Sequence, residues 1–90
     1  MTEEDLLQLD FTRVVDDDNG PSYHYYTYDV GSLCLISQAN DKVKNDEWYV
    51  ELLESNTIRF TSRTELEIFM TLLINNYRDD KDKNNEILSR

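Results

Sequence analysis

The sequence is poor in the residues that cross-link, ligate or react. Its single cysteine, Cys34, cannot make an internal disulfide, and no Cys–Cys or Cys–His metal spacing surrounds it. Cys34 lies in the apolar run Leu33-Cys34-Leu35-Ile36 and reads as a small buried hydrophobe. His24 is the only histidine, and a lone histidine in a strand reads as structural. There is no Gly-rich phosphate loop and no nucleophile elbow, so the expectation is a protein that is not an enzyme and holds no cofactor. Long apolar runs are also missing: nothing approaches the ~18 residues that span a bilayer. The first residues, Met1-Thr2-Glu3-Glu4-Asp5, are acidic where a secretory leader would be basic. An acidic surface is repelled by anionic lipid, so no membrane partner is expected and a cytoplasmic location is.

Basic residues are scarce in one part of the chain only. Residues 1–58 hold thirteen Asp/Glu against three Lys/Arg, which is the whole net charge of −10, while the remaining 32 residues carry six acids and six bases. Concentrating like charge opposes compaction through self-repulsion, but it provides a long-range field that attracts basic surfaces. Direct binding of nucleic acid is not expected, because phosphates need Lys and Arg.

What is present is enough for one core. Ninety residues make one domain, and a chain of this size buries a little over ~60% of its unfolded surface. Nine of the ten aromatics lie between Phe11 and Phe69. Thr2 with three following acids predicts a short helix through Leu9. Phe11 to Asp16 reads as a strand, and Asp16-Asp17-Asp18-Asn19-Gly20-Pro21 as a hairpin loop. Strands follow at Tyr23–Val30, Leu33–Ser37, Trp48–Leu53 and Ile58–Phe60, with residues 38–46 as a loop and a turn at Glu54–Thr57.

Ser62-Arg63-Thr64-Glu65 fits a capping box. Leu66, Phe69, Met70, Leu73, Ile74 and Tyr77 then recur at helical spacing and predict one buried face, while Ile68 and Leu72 fall outside it. The expected fold is α+β: a short N-terminal helix, an antiparallel sheet of four to five strands, and an amphipathic helix on one sheet face. Residues 1–77 form the domain, and 78–90 a charged tail, frayed or disordered.

Two features point to binding. The triple aspartate Asp16, Asp17, Asp18 fails the calcium-loop spacing whether the loop starts at Asp16 or at Asp17, since Gly20 or Pro21 then falls at the fifth position, where an oxygen ligand is required. It reads as an acidic hairpin tip on which a basic partner can land. Strand alternation turns Tyr26, Tyr28 and Val30 inward, leaving Tyr23, Tyr25, Tyr49 and Glu51 on the open sheet face. Exposed tyrosines are over-represented at interfaces, although they are also good strand formers. Ile68 and Leu72 either tuck under the N-terminal helix or form an apolar pair at a homodimer or partner contact.

In size, charge and architecture the chain resembles small phage and mobile-element inhibitors, anti-CRISPR proteins and uracil-glycosylase inhibitors among them. It shares no motif with them. The resemblance implies an inhibitor or modulator of a basic partner that is nucleic-acid-guided or nucleic-acid-processing. Carboxylates at Asp16, Asp17, Asp18, Asp29, Glu47 and Glu51 would then imitate a phosphate track, or would steer association while aromatic anchors lock the partner. The alternative is an immunity-type or adaptor subunit that neutralises a basic partner unrelated to nucleic acid.

Overall fold

The computed structural model describes residues 1–18 and 20–77; the expected tail at 78–90 lies outside them. The order is α1 (Glu3–Gln8), β1 (Thr12–Asp16), β2 (Tyr23–Val30), β3 (Leu33–Ser37), a 3-10 turn at Asn40–Lys42, β4 (Val50–Leu52), β5 (Ser55–Phe60) and α2 (Arg63–Asn76). The strands form one antiparallel meander in the order β1-β2-β3-β4-β5. No described helix is long and apolar enough to cross a membrane.

Both helices begin where local chemistry frees them to. The Thr2 hydroxyl accepts from the Asp5 N–H while the Asp5 carboxylate accepts from the Thr2 N–H, a complete capping box on α1. On α2 only the Ser62 half of the expected box forms, with its hydroxyl accepting from the Glu65 N–H at 3.3 Å. Gly31 makes the two-residue turn between β2 and β3 at φ +62, a region that L side chains avoid. An added Cβ there would also come within 2.6 Å of the Tyr77 ring at the end of α2.

The core lies between the helices and one sheet face: Leu6, Phe11, Tyr26, Leu35, Trp48, Val50, Leu66 and Met70. The buried helical stripe is shorter than its periodicity predicts. Leu66 and Met70 are buried and Phe69 and Leu73 half-buried, but Ile74 and Tyr77 are each 51% exposed. Phe69 stacks on Phe60 of β5 at 4.9 Å. Farther along, the helix runs out beside the Gly31 turn, where a glycine offers little surface to cover it. Ile68 and Leu72, each 57% exposed, do not tuck under α1.

Two strands differ from expectation. β4 is three residues long because Trp48 and Tyr49 find other partners. Met1 accepts from the Trp48 N–H at 2.7 Å, and the Gln38 side chain accepts from the Tyr49 N–H at 2.9 Å. The Met1 amine in turn donates to the Trp48 and Thr61 carbonyls. β5 is longer than predicted: Glu54 takes φ +72, so the chain reverses at Leu53-Glu54, and Ser55 already pairs with Leu52.

Candidate functional site

Alternation along the meander sorts the tyrosines. Tyr26 points into the core at 1% exposure. Tyr23, Tyr25, Tyr49 and Glu51 point to the face away from the helices, and all four are half-buried by their neighbours. The register sets Tyr25 against Val14 and Tyr23 against Asp16 on β1, and Glu51 against Arg59 on β5.

The predicted site residues therefore fall into two groups. In the first, the Arg59 guanidinium lies 3.9 Å above the Tyr49 ring and donates from Nε and Nη2 to Glu51 at 3.1 and 3.0 Å. Cation–π attraction and a charge-assisted pair hold one cation of the protein's own. In the second, the Tyr23 hydroxyl donates to Asp16 at 3.0 Å, and the Tyr23 and Tyr25 rings lie 6.3 Å apart. Asp16 also accepts from the Asp18 N–H, which shapes the hairpin tip. Among the described residues no Lys or Arg enters this second group.

Negative charge gathers around the open group. The Asp16 hydrogen bond, and then the Asp16 charge, raise the Tyr23 phenol above its ordinary range, and Asp41 pushes the same way. Asp41 comes from the 3-10 turn beside β2, which is anchored where the Asn40 side chain accepts from the His24 N–H. Asp17 and Asp18 enter no ion pair among the described residues. The described residues also include no group of three His, Cys, Asp or Glu side chains placed to hold a metal ion.

A third tyrosine–carboxylate pair sits on the inner face. Glu3 of α1 accepts from the Tyr26 hydroxyl at 2.6 Å and pairs with His24 Nε2 at 2.7 Å. Arg13 Nη2 approaches His24 Nδ1 at 3.5 Å, and the His24 ring stacks on Trp48. Hydrogen bonding from Tyr26, then from His24, holds the Glu3 carboxyl below its usual range against the opposing effect of burial. His24 and Cys34 lie on opposite faces: Cys34 pairs with Asp29 on the outer face, and its thiol is pushed up to about 11, chiefly by burial. Sequence reasoning missed Arg59 and Glu3. Their spacing carried no sign of either contact, because both depend on a register and a helix placement fixed only in three dimensions. No protein-family model matches this chain, and neither does any curated protein or solved structure.

Proposed function

We propose that this chain is a small acidic binding protein that engages a basic, nucleic-acid-handling partner and modulates it by occupancy, not by catalysis. The observation that carries the reading is the open group at Asp16, Tyr23 and Tyr25. It has the same kinds of group, aromatic faces and a carboxylate, that hold Arg59 at Tyr49 and Glu51, but no Lys or Arg among the described residues fills it. A guanidinium or ammonium from a partner is the group that such a place accepts. Asp17, Asp18 and Asp41 around it raise the local concentration of basic surfaces before contact.

Affinity capture from the source cell identifies the partner, and association and dissociation rates are then measured against salt with both proteins purified. The expected result is a basic partner whose association slows with added salt and whose dissociation quickens in Tyr25→Ala. If binding persists in Tyr25→Ala and in Asp17→Lys/Asp18→Lys but is lost on changing Ile68 and Leu72, the interface is on α2 and the reading fails.

A further inference from the structure

We propose that the outer edge of β1, which pairs with no other strand among the described residues, binds an extended basic segment of the partner by strand addition. The inference rests on the reading above and gives it a mode of attachment. β1 is an end strand, paired to β2 without a bulge from Thr12 with Thr27 to Asp16 with Tyr23. The His24 and Tyr26 N–H groups turn toward the β3 side, where they donate to Asn40 Oδ1 and Ser37 Oγ at 2.8 and 2.9 Å. Alternation then turns Tyr23, Tyr25 and Thr27 to β1, where they meet Asp16, Val14 and Thr12. The N–H and C=O groups of Arg13 and Val15 are left facing outward.

Natural sheet edges are blunted by proline, lysine, bulges or a covering element. β1 has no proline, lysine or bulge, and its Val15 side chain is 56% exposed. Its one base, Arg13, is turned to the inner face beside His24.

Charge selects the occupant. Asp10 stands before the strand, and Asp16, Asp17 and Asp18 close it. At ~3.3 Å per residue the two acidic ends are roughly 20–25 Å apart, the reach of about seven extended residues. The fitting segment has Lys or Arg at both ends and β-branched residues between them. A second copy does not fit: antiparallel pairing brings Asp16–Asp18 toward Asp10, and parallel pairing stacks the three aspartates on themselves. The opposite edge, β5, is paired through an irregular register at Glu51/Leu52, carries Arg59 and leads into Arg63, so it does not attract the same ligand.

The test uses an eight-residue peptide of alternating valine and threonine with two lysines at each end, and the same peptide N-methylated at alternate amides. Hydrogen exchange read by NMR on the full chain should show new protection at the Arg13 and Val15 amides with the first peptide. The methylated peptide should bind about tenfold more weakly or worse, since strand addition draws affinity from main-chain hydrogen bonds. Val15→Pro removes an edge donor that the ladder does not use, and Val15→Lys adds an edge charge. Both should keep the melting temperature and lose peptide binding. If both peptides bind equally while Arg13 and Val15 stay unprotected and Tyr23 and Tyr25 shift, strand addition is wrong and the basic-partner reading survives. If neither peptide binds even at low ionic strength, both fail.

Discussion

Tyr49 with Glu51, and Tyr23 with Asp16, are built from the same parts on the same sheet face, yet they stand in opposite states. The first pair is closed by Arg59, which reaches across from β5 in register with Glu51. The second lies at the far side of the sheet, next to the β1 edge and the acidic hairpin, where the chain supplies no cation among the described residues. A tyrosine beside a carboxylate is therefore not a binding place by composition alone. What decides is whether the neighbouring strand brings its own base. A third pair, Tyr26 with Glu3, is closed by His24 and partly covered by α1, and it serves the fold.

The sharpest contrast is between sequence neighbours. Tyr26→Ala empties a fully buried position and should destabilise the domain by ~3–5 kcal/mol in chemical denaturation. Tyr25→Ala, on the outer face, should cost less than ~1 kcal/mol, as surface changes usually do. A large loss at Tyr25 would mean that the outer face is part of the core and would dissolve the distinction between the two faces.

The next effect is on binding and separates the open pair from the closed one. Tyr25→Ala should weaken the partner complex by ~2 kcal/mol or more, mainly through faster dissociation. Tyr49→Ala should leave the complex nearly unchanged, because its ring face is already occupied by Arg59. Equal losses at both positions would show that Arg59 gives way to the partner. Reversing Asp17 and Asp18 should slow association several-fold, an effect that added salt reproduces. Asp16 is left intact in that variant because its carboxylate orders the hairpin through Tyr23 and Asp18.

The outlines of this fold were legible because they rest on local chemistry. Ser62 ahead of the spaced apolar residues marked α2, and the run from Asp16 to Pro21 marked the break between β1 and β2. β4 was read too long because nothing in Trp48-Tyr49 reveals that Met1 and Gln38 will take their amides. β5 was read too short because Glu54, neither glycine nor asparagine, accepts a left-handed conformation. The stripe on α2 was read too long because periodicity reports a face and not the length of sheet beneath it. At the candidate site, alternation placed Tyr23, Tyr25, Tyr49 and Glu51 on one face. It could not divide them, since the division depends on the β4–β5 register that sets Arg59 opposite Glu51.

Opening the closed pair should have a smaller effect. Arg59 is about half exposed and its bridge to Glu51 is screened, so Arg59→Ala should lower stability by less than ~1 kcal/mol. It also leaves Tyr49 and Glu51 as a vacant copy of the Tyr23 group. An arginine-rich probe peptide should then shift the Tyr49 ring resonances of the variant and not those of the wild type. No new shift at Tyr49 would show that a tyrosine and a carboxylate are insufficient, and that the surrounding aspartates make the open group attractive.

The smallest effect concerns the inner pair and comes from pH. Glu3 has its carboxyl lowered from 4.5, first by the Tyr26 hydroxyl and then by His24. A depressed carboxyl contributes stability that is complete above its unfolded value and is lost as pH falls through the folded one. Because the Glu3 side chain is 38% exposed, solvent screening keeps that contribution small. Asp5, also lowered, by its bond from the Thr2 backbone and by Arg63, supplies a second loss in the same acid range. Glu3→Gln keeps an oxygen to accept from Tyr26 and removes the titration. Its melting temperature should fall less steeply than the wild type's between about pH 5 and pH 3, with the Asp5 contribution remaining in both. At the other extreme the Tyr26 phenol is pushed up to about 12, first by burial and then by Glu3, so its contribution is intact below pH 10 and is lost as pH rises toward that value. Tyr26→Phe should flatten the alkaline limb and leave the acid limb shallower as well, because Glu3 loses its strongest donor. If Glu3→Gln and Tyr26→Phe both keep the wild-type acid slope, the inner pair is not coupled to folding, and burial alone separates it from the outer two.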